Sequence, residues 1–222
     1  MPIQNKKIKM LALSLILLMT VSVTTACVKQ EAKDSESAVK TEEEAATTNI
    51  EEKTAEETET ATSEKKAMEG FLVYENDEAK ISIQYPSTWE TMEGFMGSVA
   101  LFRAPKESSQ DMFQEHVNIL LQDLSTQQDM TLEDFTDLSR KQLETLVTDF
   151  KVVEKLSKTT LSGVPAQEIT YTAKQGQIDM KLYQIWAVKE EKAYIITYTA
   201  APDGFDKEWE NVQKIVDSFE IE

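Results

Sequence analysis

The placement of large apolar side chains constrains this chain most. From Val28 to Met68 there is no Phe, Trp, Tyr or Leu. Such a segment can bury too little surface to offset the entropy of ordering its backbone, and its Glu, Thr, Ala, Ser and Lys content predicts disorder. Apolar and aromatic content rises abruptly at Phe71, so a folded domain is expected over 69–222, preceded by a linker over 27–68. The 154 residues of that domain suffice for one self-supporting core. A single cysteine rules out an internal disulfide, leaving the fold to be held by packing.

The first 26 residues have a different character. Lys6, Lys7 and Lys9 precede an apolar run from Met10 to Val23, followed by the small residues Thr24, Thr25 and Ala26. A basic start, a short apolar stretch and small residues before a cut make a signal-peptide layout over 1–26. The segment Val23-Thr24-Thr25-Ala26-Cys27 resembles the lipobox of bacterial lipoproteins, with Thr24 where that pattern prefers leucine. The resemblance implies that Cys27 becomes the acylated first residue of the mature chain, which would then sit outside the cytoplasm, anchored to the cell membrane. Two or more acyl chains, at about 0.8 kcal/mol per buried methylene, hold a protein stably on a bilayer. The linker that follows spans about 35 Å as a coil and acts as a spacer.

Charge narrows the choice of partners. The formal net charge is −17, which opposes approach to phosphate backbones and argues against a nucleic-acid partner. The linker contributes six basic and 12 acidic residues, or −6, with the larger share carried by the domain.

Within the domain, period-two alternation places a strand at Ile81, Ile83 and Tyr85, ended by Pro86. Further strands are expected at 99–102, 117–124 and 152–161. The segments 166–173, 178–188 and 193–200, joined by short polar connections, read as an antiparallel meander. Thr131 with Asp134 resembles a capping box, and Leu132, Phe135, Leu143 and Leu146 share one helical face expected to lie on the sheet. A second helix follows Pro202-Asp203-Gly204, with Phe205, Trp209, Val212, Ile215, Val216 and Phe219 on one stripe. The expected fold is α+β, a mainly antiparallel sheet flanked by helices in the order ββββαββββα.

The stretches Ile83-Gln84-Tyr85-Pro86-Ser87-Thr88-Trp89, Thr131-Leu132-Glu133-Asp134-Phe135 and Leu161-Ser162-Gly163-Val164-Pro165-Ala166, with the closing Phe205–Phe219 helix, resemble the PsbP-like group of the Mog1/PsbP fold. That resemblance implies an antiparallel sheet between helices and a protein-binding role. No metal-ligand set of the photosynthetic members matches residue by residue, so none is carried over.

Catalytic chemistry has little to stand on. His116, the lone histidine, starts an apolar strand, where ordinary hydrogen bonding accounts for it. Zinc would need more Cys and His than the chain has, and nucleotide phosphates find no glycine-rich cradle. No catalytic residue, metal or cofactor is assigned. Trp89, Phe95, Trp186, Tyr194 and Tyr198 are the aromatics most able to line a binding surface. Met92, Phe95 and Met96, set around Gly94 in an expected loop, form the candidate partner-contact segment. The preferred reading is a non-catalytic module that binds a protein or an envelope component. Two alternatives stand beside it: an envelope hydrolase working through paired carboxylates, and a small-ligand or calcium-binding surface lipoprotein, with Glu75, Asp77 and Glu78 or Asp203 and Asp206 as oxygen donors.

Overall fold

The computed structural model describes residues 66–222, apart from Gln110, Met112 and Gln128. Residues 1–65, which include the segment expected to be a signal peptide, Cys27 and most of the expected linker, lie outside the described residues. Ten strands and two α-helices follow one another. They are β1 (Phe71–Asn76), β2 (Ile81–Pro86), β3 (Glu90–Glu93), β4 (Ala100–Arg103), β5 (His116–Asp123), α1 (Leu132–Leu146), β6 (Lys151–Leu161), β7 (Val164–Gln175), β8 (Ile178–Lys189), β9 (Lys192–Ala200), α2 (Phe205–Asp217) and β10 (Glu220–Ile221). Seven strands form one sheet in the order β3-β4-β5-β9-β8-β7-β6, and β1-β2-β10 form a small second sheet. Every pairing is antiparallel.

The expected meander is present as β7, β8 and β9, neighbours in the large sheet. The order is βββββαββββαβ, two strands more than expected, and β1 is a further strand that was not placed by residue from the sequence. Glu90-Thr91-Met92-Glu93 lacks an apolar alternation, yet it pairs with β4. The two residues of β10 are too few to carry a period, and they pair with β2.

Alternation along the strands creates two cores, one on each face of the large sheet. On one face Ile169 and Tyr171 of β7, Leu182 and Trp186 of β8 and Ile195 of β9 pack under Phe135 and Leu143 of α1. Thr131 caps α1 through a reciprocal pair of bonds with Asp134, as expected. Trp186 Nε1 donates to Thr136 Oγ1 at 2.9 Å, tying helix to sheet inside that core. Leu146 departs from expectation. It is 64% exposed, because the helix ends there and the next residue, Val147, turns into the core instead.

On the opposite face the small sheet and α2 share the covering. Tyr74, Ile81 and Ile83 of the small sheet pack with Phe102, Val117 and Ile119 of β4 and β5. Tyr74 meets the Phe102 ring edge-on at 5.6 Å, and Tyr85 stacks on it at 4.7 Å. The second helix packs over β9 and beside β2 with Phe205, Val212 and Ile215 buried, its predicted stripe. Neither element covers the β6–β7 margin of this face.

Candidate functional site

That uncovered margin is a groove of about 250 Å³ between α2 and strands β6, β7 and β8. The strands place polar groups along it, by alternation in β7 and across the irregularities of β6. Glu154 and Ser157 come from β6, Glu168 and Thr170 from β7, and Tyr183 from β8. The helix contributes Trp209, Val212 and Val216 as an apolar wall, with Gln213 and Asp217 at its rim. The register Glu154↔Thr170 and Ser157↔Glu168 brings these groups side by side, across irregularities in β6 on either side of Glu154.

Hydroxyls hold two of the carboxylates. Tyr183 Oη donates to Glu168 Oε2 at 2.8 Å and Ser157 Oγ to Glu168 Oε1 at 3.0 Å. Thr170 Oγ1 donates to Glu154 Oε2 at 3.1 Å. Burial, followed by the bond to Glu168 and the charges of Glu168, Asp217 and Glu154, pushes the Tyr183 phenol far above its ordinary range. Tyr183 therefore stays a neutral donor. Its ring meets Trp209 edge-on at 4.9 Å, and Trp209 stacks on Phe205 at 5.3 Å, so an aromatic row runs from the groove to the start of α2.

The residues singled out from sequence lie elsewhere. Met92 is in β3 rather than in a loop, because its segment pairs with β4. Phe95 is 40% exposed in the short turn Phe95–Gly97 that also holds Met96. Trp89, Trp186, Tyr194 and Tyr198 are buried, and Tyr198 Oη donates to the Phe205 carbonyl at 3.0 Å. His116 sits at the start of β5 with Nδ1 3.0 Å from the Gln114 carbonyl and Phe113 tilted against its ring. Burial holds its imidazole below the ordinary range. Asp206 pairs with Lys181, and among the described residues no three His, Cys, Asp or Glu side chains converge as metal ligands.

The carboxyl raised by burial is Glu115, which does not line the groove. It is 6% exposed, accepts a bond from the Ala201 amide at the approach to α2, and feels the negative charges of Asp111 and Glu107. Its Oε1 occupies the place where a Cβ on Gly204 would stand.

The groove went unnoticed in sequence because four separate elements build it. One signal was available. In β7 the residues facing α2 are Ala166, Glu168 and Thr170, and a glutamate on an inward-facing row of a strand requires a local reason.

Seven antiparallel strands with a helix on one face and a helix plus a small sheet on the other define the class of protein, an α+β sandwich. The chain belongs to the PsbP-like protein family, whose model matches residues 37–221. No curated protein sequence matches it. The cyanobacterial PsbP (CyanoP) of Synechocystis sp. PCC 6803 superposes with a TM-score of 0.54 at 15% identity, covering 70% of this chain and 95% of that one. LpqN of Mycobacterium tuberculosis, a protein involved in cell envelope biogenesis, gives a TM-score of 0.50 at 13% identity, covering 63% of this chain and 82% of that one. At these identities the likeness is one of fold.

Proposed function

We propose that this chain is a membrane-anchored extracytoplasmic lipoprotein whose PsbP-like domain is a non-catalytic module for binding a protein or envelope component. The observation that carries the binding role is the groove, a concave site in which an apolar wall stands against a row of carboxylates and hydroxyls. Hydroxyl donors hold Glu154 and Glu168 in place along the groove, which supports their use as fixed acceptors in recognition. The anchoring role rests on the lipobox-like segment ending at Cys27. In that arrangement the domain works at the membrane face while its linker sets the distance at which it meets a partner.

Two measurements in a bacterial host test the two halves. The intact mass of the membrane-extracted protein should begin at Cys27 with added acyl mass, and Cys27→Ser should leave the membrane fraction. Persistence of residues 1–26, or an unmodified Cys27, would overturn the anchor. A photo-crosslinking residue at Gln213, on the groove rim, should trap a partner that the same residue at Lys141 on α1 does not. No specific adduct at Gln213 would overturn the binding role.

A further inference from the structure

The aromatic row through Phe205, Trp209 and Tyr183 has two ends with opposite charge balance. At the Phe205 end, Lys181 Nζ lies 3.9 Å over the ring centroid and 3.2 Å from Asp206 Oδ1. Aromatic ring, carboxylate and ammonium are all supplied by the chain itself. At the Tyr183 end, ring and carboxylates are present, but the cation is missing. Among the described residues no basic nitrogen lies within 4 Å of Glu154, Glu168 or Asp217. Lys155 is the one basic residue in the lining, and it makes no ion pair with them.

Size and shape select the occupant. A volume of about 250 Å³ falls below the range of roughly 300 to 1,000 Å³ typical of sites for whole small molecules. It suits one long side chain. The wall of Trp209, Val212 and Val216 would be wasted on a bare ion but matches a methylene stem that ends in charge. The outer rim is β6, a terminal strand whose pairing with β7 is regular from Ser157 to Leu161 and whose other edge is paired to no strand among the described residues.

Building on the binding-module reading above, we propose that the groove receives a lysine or arginine side chain from an extended segment of a partner protein laid along β6. Its stem rests on Val216 and Trp209, both partly exposed, and its charged head meets Glu168, with Glu154 and Asp217 adding to the field. A second copy of this chain is the poorer occupant, since two bodies of formal charge −17 repel each other.

The test uses the full chain in mild detergent. Of its three tryptophans, Trp89 and Trp186 are 5% and 1% exposed, so an emission change on titration reports Trp209. The probes are the heptapeptide Thr-Val-Thr-Lys-Thr-Val-Thr, its norleucine twin, and n-butylammonium chloride. The lysine peptide should shift the emission saturably and bind about tenfold more tightly than the twin, with Glu168→Gln and Asp217→Asn each removing most of that advantage at unchanged Tm. Equal binding of the twin, or no shift with either peptide, would overturn the proposal. Butylammonium binding as tightly as the peptide would assign the site to a free amine, and self-association lost in Glu168→Gln would assign it to a second copy. Either result overturns the partner segment. A partner trapped at Gln213 that the lysine peptide fails to displace would sink the cation alone, leaving the binding-module reading intact.

Discussion

Glu190 and Glu191 turn the chain between β8 and β9 with φ of 49° and 58°, a conformation that L-residues adopt at a cost of about 1–2 kcal/mol each. The equivalent turn between β6 and β7 uses Ser162 and Gly163, at 53° and 71°, the usual chemistry for a two-residue hairpin loop. Replacing Glu191 by glycine should therefore stabilise the domain by about 1 kcal/mol, measured by urea unfolding, with the m-value unchanged. Glu115 gives a residue-scale prediction in pH. Its folded carboxyl is raised above the unfolded value, so between the two pKa values the folded state binds more protons and stability falls as pH rises. Unfolding free energy should decline from just above the ordinary carboxylate range upward through that raised value. Glu115→Gln, which keeps an acceptor for the Ala201 amide, should flatten this part of the curve. An unchanged slope in the variant would assign the pH dependence to other groups.

At the scale of elements, the bond between Trp186 and Thr136 is a polar link from α1 to the sheet, and both residues are buried. Thr136→Val keeps the shape and strands the indole N–H, which should cost about 1–3 kcal/mol by thermal or urea unfolding without changing the helix content seen by circular dichroism. The two helices and the meander were legible because each repeats its apolar residues often enough to display a period: Phe135 with Leu143, and Phe205, Val212 and Ile215, are buried as their stripes require. The short strands β3 and β10 were not, since four and two residues pair through backbone alone and leave no side-chain signature. Leu146 shows the complementary error, a residue in phase with its helix but past the point where the helix still touches the sheet. The groove escaped for a third reason. Glu154, Glu168, Tyr183 and Asp217 are brought together only by strand register and by where α2 comes to rest, and each taken alone is an unremarkable acid or aromatic.

For the molecule as a whole, the β1-β2-β10 sheet carries a mechanical consequence. Strand β2 lies between the first strand of the domain and the last, with Ser82 opposite both Glu75 and Glu220. Tension drawn along the chain from its N-terminal side meets first the bonds of Met68 to Gln84 and of Gly70 to Ser87, and then edge strand β1 at Phe71, whose pairing begins at Pro86. Pulled across the strand direction, β1 opens its hydrogen-bond ladder one rung at a time, which resists far less than sliding all rungs together. Peeling proceeds toward Tyr74, the β1 ring that sits against Phe102, while β2 stays clamped by β10 and by the Ser218 hydroxyl, which accepts from the Gln84 amide at 2.8 Å. The first strand thus behaves as a fuse. Under such a load it should yield before the large sheet does, releasing a few residues of chain while the groove on β6, β7 and α2 keeps its shape.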